Sequence, residues 1–191
     1  MTVFVIAAIV VVVALLVGYV ASVERRVRRY RSSTVASRNL VTVELERRYV
    51  QLEPFIAAVE SSGLDAEPVR QLVGARSWSK AVRDRGLDLP AQAAAENALS
   101  AAVHAVLSES DAHPILKSAW AFQGPAGDLA VTEQRIAGAV RVYNDNAYKL
   151  AELRTSLPTM PVAKALKVTA PDLFVEHVPL FADAEPQDVP A

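Results

Sequence analysis

The chain contains no cysteine, which excludes disulfides, thiolate nucleophiles and cysteine-ligated metals together and fits a reducing compartment. Glycine is scarce, seven in 191 residues, and none is arranged as a phosphate-cradling loop or a nucleophile elbow. The three histidines, His104, His113 and His177, lack the HExxH or i, i+4 spacing that a helix-borne metal site needs. Ser, His, Asp and Glu occur only scattered, so no catalytic constellation, cofactor site or metal site is expected. Aromatic residues make up 6% of the chain, and the apolar content is mostly Ala and Val. Such a chain favours helices over strands.

Charge is also missing at the start: no charged side chain precedes Glu24. Residues 1–23 are otherwise almost wholly apolar, and about 20 such residues at 1.5 Å rise match a hydrocarbon core of roughly 30 Å. They read as a transmembrane helix. A cleavable signal peptide would carry a basic stretch ahead of a shorter apolar core, and Val20-Ala21-Ser22 is only a loose cleavage match. Beyond the span, residues 24–33 form a basic juxtamembrane segment with Arg25, Arg26, Arg28, Arg29 and Arg31. This asymmetry predicts a single-pass protein of the cell membrane with its N-terminus outside and its body in the cytoplasm. The same arginines lie within reach of anionic headgroups of the lipid bilayer. Outside residues 24–31 the chain has 15 basic and 20 acidic residues, a balance that argues against nucleic acid as a partner.

The remainder is expected to be all-α: an antiparallel up-and-down helical bundle of about four helices over 34–154, with coiled-coil-like spacing, then a Pro-containing C-terminal tail. In the first helix Leu45, Tyr49, Leu52, Ile56 and Val59 form one apolar stripe, with Glu44, Arg47, Arg48 and Gln51 mostly on other faces. Pro54 predicts a kink near Val50. Asp65 is placed to cap the second helix, Leu64 and Val69 to staple it, and Gly86 to stop it after Arg85. Val69, Leu72, Val73 and Val82 are its core candidates, and Trp78 is read as core or half-buried. A third helix is expected over 91–108, with His104 beside its stripe. A loop and short helix, 110–123, should be broken by Gly124-Pro125 before Asp128 caps the last helix, 128–154. Its seam is Leu129, Thr132 or Glu133, Ile136, Val140, Tyr143, Ala147 and Leu150. The tail, 155–181, should place a short helix near 162–168 and dock its strip of Leu173, Phe174, Val175, Val178, Leu180 and Phe181 on the bundle. Residues 182–191 are expected to be disordered.

Glu96-Asn97, then Pro114, Leu116 and Lys117 of the His113–Lys117 stretch, then Thr132-Glu133, Ile136, Arg141 and Tyr143-Asn144, in this order and spacing, resemble the LemA family of bacterial membrane proteins. The likeness runs along nearly the whole chain and is tightest over 96–144. Departures fall at Gln51-Leu52-Glu53-Pro54-Phe55, which keeps only the Leu and Pro of the family's segment, at Gly124-Pro125, and at Tyr148-Lys149. The resemblance implies a helical bundle on long antiparallel helices and leaves the molecular activity undefined. Its motif residues are read as structural: Glu133 and Asn144 should tie neighbouring helices by hydrogen bonds.

Two functions fit. The first is a non-enzymatic membrane-tethered scaffold or adaptor whose partners are other membrane proteins or further copies of itself. The second is a self-associating protein that organises or bends the membrane through the arginine edge.

Overall fold

The computed structural model describes residues 1–62, 64 and 66–175. The expected Asp65 cap, the docking of Val178, Leu180 and Phe181, and the end of the tail at 182–191 lie outside the described residues. Every regular element among the described residues is helical: α1 (Thr2–Glu60), α2 (Ala66–Asp84), α3 (Leu89–Asp111), α4 (Pro114–Ser118), α5 (Trp120–Thr155) and α6 (Met160–Ala165).

The apolar opening continues into the bundle without interruption. α1 is one helix of 59 residues, close to 90 Å long at about 1.5 Å per residue. Its first part, residues 2–18, is exposed on every side, and the helix is a candidate membrane span by length and composition. From Tyr19 onward one side faces the other helices: Val23, Val27, Tyr30, Thr34, Ser37, Val41, Glu44, Arg48, Leu52, Phe55 and Val59 recur at three- and four-residue steps and are buried apart from partly buried Tyr19 and Tyr30. That spacing is the seam of an antiparallel helix pair. Pro54 lies within α1, which runs on to Glu60, because buried Phe55, Ile56 and Val59 hold its last turns against the core.

α5 is the partner of α1 and runs antiparallel to it. Leu129, Thr132, Glu133, Ile136, Val140, Tyr143, Ala147 and Leu150 are all buried along its seam. Gly124 and Pro125 do not break the chain here: α5 begins at Trp120 and contains both. Pro125 sits within the first two turns, so its missing amide removes a single bond, and buried Phe122 and Ala126 fasten that start to the core. Asp128 is consequently an exposed mid-helix residue and not a cap.

α2 and α3 form the second antiparallel pair. Gly86, at φ +61, closes α2, with the amide of Leu87 donating to the Val82 carbonyl at 3.2 Å; this six-to-one bond characterises a glycine-terminated helix. Leu72 and Val82 enter the core, whereas Val73 is exposed, against expectation, and Trp78 is about half-buried at 48% exposure. The residue of that helix that turns inward instead is Ser79. α3 starts two residues before the expected point because Asp88 caps it, its Oδ1 accepting from the Ala91 amide at 3.0 Å, with Pro90 in the first turn. Asp88→Ala should lower stability by about 1 kcal/mol, measurable by urea unfolding in detergent.

Candidate functional site

The most buried polar group of the bundle is Arg48, completely shielded from solvent in the C-terminal half of α1. Its guanidinium meets carboxylates from two other helices: Nη1 donates to Glu133 Oε1 of α5 at 2.9 Å, and Nη2 donates to Glu96 Oε2 of α3. Two serines complete the set. Ser100 Oγ accepts from Arg48 Nη1 at 2.5 Å and donates to Glu133 Oε2 at 2.8 Å, while Ser79 Oγ of α2 donates to Glu96 Oε1 at 2.7 Å. All four long helices thus meet through one cluster. Burial by itself lowers the Arg48 pKa, but the charges and hydrogen bonds of Glu133 and Glu96 together outweigh it and raise the pKa above the ordinary value. Arg48 therefore stays protonated, and all five side chains are buried.

The spacing in α1 places Arg48 on the seam, four residues before Leu52 and seven after Val41, although its charge predicts an outward position. Arginine is almost never fully buried unless paired. The signal that reveals it is a matching charge on two other seams: Glu133 between Leu129 and Ile136, and Glu96 beside Leu99. Glu44 is likewise buried on this face, with Arg47 Nη1 at 3.3 Å.

A second polar set clamps the tail. Asn144 pairs with the backbone of Phe174 on both sides: Oδ1 accepts from its amide at 2.9 Å and Nδ2 donates to its carbonyl at 2.8 Å. Asn97 Nδ2 donates to the Val175 carbonyl at 2.7 Å, and the Tyr143 hydroxyl donates to the Asp172 carbonyl at 2.6 Å. These bonds place the Phe174 ring in a cluster with Val41, Leu89, Ile136, Val140 and Ala147. Leu173 and Val175, on either side of it, remain exposed.

The other sequence-predicted residues are dispersed. Thr132 and Ile136 are seam residues, Arg141 is exposed on α5, Pro114 opens α4, Leu116 is buried, and Lys117 pairs with Asp111 at 2.6 Å on the surface. Arg25, Arg26, Arg28, Arg29 and Arg31 form an exposed collar around α1, on the sides not occupied by Val23, Val27 and Tyr30. Arg28 is paired with Glu24 at 2.5 Å. Among the described residues, no group of three or more His, Asp and Glu side chains is arranged to hold a metal ion.

At the end of the bundle farthest from the apolar segment, α4 and the start of α5 carry Ile115 and Trp120, 88% and 86% exposed. Clefts flank both: one is lined by Ala58, Pro114, Ile115 and Ala119, the other by Gln51, Pro54, Trp120 and Asp128. In sequence both residues fall in the same 110–123 stretch as the core-forming Leu116 and Phe122, with nothing local to separate them.

A helix with an apolar first part that is a candidate membrane span, running straight into an all-helical bundle and braced by an antiparallel partner, is consistent with a membrane-associated helical protein. The sequence profile of the LemA family matches residues 37–186. The chain belongs to the LemA family, the assignment to which the motifs over 96–144 had pointed. No curated protein matches it.

Proposed function

We propose that this protein is a non-enzymatic, membrane-anchored scaffold or adaptor that presents the far tip of its bundle to other proteins. The exposure of Ile115 and Trp120 supports this reading. An isolated exposed leucine or valine needs no explanation, but a nearly bare tryptophan beside a second large apolar residue and two clefts has the composition of an interaction hot spot. The tip stands about 60 Å from Tyr19 along α1, far enough to engage the soluble part of a neighbouring membrane protein or another copy of this chain. The arginine collar favours a cytoplasmic bundle and an outside N-terminus in the cell membrane. The reading calls for no cofactor, metal or nucleic acid.

In-cell photocrosslinking from probes at Ile115 and Trp120, with Val50 on the flank of α1 as the control position, tests it. One or two distinct proteins should be captured from the tip and not from Val50. Trp120→Ala should weaken that complex by about 2 kcal/mol, roughly thirtyfold. Capture of nothing but lipid and randomly distributed proteins from the tip would overturn the reading. The exposed collar supports a second reading, in which the protein self-associates and organises or bends the bilayer. Changing the five arginines to Gln should then abolish lipid clustering, and an effect on orientation alone would remove that idea.

A further inference from the structure

We infer that the elbow after α5, residues 156–168 with α6 inside it, is a second membrane contact, seated in the headgroups of an anionic leaflet beside the span. The inference rests on α1 crossing the bilayer and is independent of the adaptor reading. Residues 2–18, exposed all round, supply about 25 Å of helix, short of a hydrocarbon core of roughly 30 Å. Any tilt of the helix widens that shortfall. The turn from Tyr19 to Ser22 must therefore also lie at membrane depth, and it is not free. Tyr19 packs with Val23, Val27 and Leu153 in a cluster that includes Val162 and Val168, the residues flanking the end of α6. Since α5 runs antiparallel to α1 and ends at Thr155, the chain that turns beneath it meets α1 at the boundary of the core.

The chemistry of the elbow suits that place. Leu157 is 76% exposed and shares a cleft with Arg26 and Tyr30, and Leu166 is also exposed. Lys164 and Lys167 accompany them with exposed side chains, and Arg154 precedes them on α5. The fold thus brings a second basic segment to the arginine collar. Residues 19–31 and 152–168 together hold eight Lys and Arg against two Glu, while the rest of the chain holds twelve basic and nineteen acidic residues. One end of the molecule is strongly positive and the body negative. Apolar side chains protruding among basic ones, level with the end of a span, form the composition of an interfacial anchor for anionic lipid.

The chain has no cysteine, so single labels can be placed cleanly. Full-length protein carrying Leu157→Cys, Leu166→Cys, Leu15→Cys or Val50→Cys would be labelled with an environment-sensitive fluorophore. Each would be reconstituted into vesicles of phosphatidylcholine alone or of equal parts phosphatidylcholine and phosphatidylserine, with quencher-bearing lipid. Labels at Leu157 and Leu166 should shift to the blue and lose most of their emission to the quencher in the anionic vesicles, as the Leu15 label does in both, while Val50 stays in water. Lys164→Glu with Lys167→Glu should reverse that loss at the elbow and leave Leu15 unchanged. If Leu15 is quenched and the elbow behaves like Val50 in both vesicles, the inference is overturned although the span stands; if Leu15 is also in water, both fall. Equal quenching in the two vesicles supports the contact and overturns its preference for anionic lipid.

Discussion

Arg48→Ala should destabilise the bundle by about 3–5 kcal/mol, a large share of what a domain of this size holds. The substitution removes the one cation between Glu96 and Glu133 and leaves two carboxylates facing each other in a site closed to water. The loss measures that uncompensated charge more than the worth of the ion cluster itself. An apolar replacement of the whole cluster, Arg48→Met, Glu96→Leu and Glu133→Leu with Ser79→Ala and Ser100→Ala, should recover most of the stability. Urea unfolding of the detergent-solubilised chain, followed by circular dichroism, separates the two. A cost below about 1 kcal/mol for Arg48→Ala would show that water reaches the cluster. If the apolar replacement is as stable as the parent but no longer folds to a single state, the cluster sets the register of four helices.

Phe174→Ala should detach the tail, at a cost of about 3 kcal/mol to its docking. The ring is buried among residues of α1, α3 and α5, and nothing adjacent to it in sequence is buried to the same degree. Hydrogen exchange at the Phe174 amide, which donates to Asn144, should accelerate roughly a hundredfold. Asn144→Ala should act in the same direction by removing both bonds to that residue. Tyr143 adds a pH dependence. Burial raises its pKa above 10.0, the charge of Asp172 raises it further, and Arg38 opposes both without reversing them. The docked state thus favours the neutral phenol. Its contribution is complete below pH 10.0 and is lost as pH rises through the higher value of the docked state. Tyr143→Phe should cost about 1 kcal/mol and abolish this alkaline release. Unchanged exchange in Phe174→Ala would show that the backbone bonds of Asn97 and Asn144 suffice.

The helical fold was legible in the sequence because hydrophobic periodicity is the strongest local signal. The seam of α5, from Leu129 to Leu150, contains the residues that spacing selected. Errors arose where local rules met tertiary packing. Gly124-Pro125 looked like a break, but one missing hydrogen bond near a helix start is small beside the burial of Phe122 and Ala126. Val73 reads as inward on hydrophobicity, while Ser79 takes the inward position because Glu96 provides an acceptor there. Arg48 was misplaced for the converse reason: its spacing was right and its charge misleading, and only the joint pattern of α1, α3 and α5 explains it. Ile115 and Trp120 are not separable in sequence from Leu116 and Phe122, since all four are apolar residues close to the junction of α4 and α5, and only packing decides which of them face the core.

The unbroken course of α1 makes the molecule a lever. A helix that passes from Thr2 to Glu60 without interruption carries a tilt of its apolar end toward the opposite end. With an arm of about 60 Å, a tilt change of about 10° displaces Ile115 and Trp120 by roughly 10 Å. Changes in bilayer thickness, which spans meet by tilting, would thus be converted into lateral travel of the tip, a distance comparable to the width of one helix.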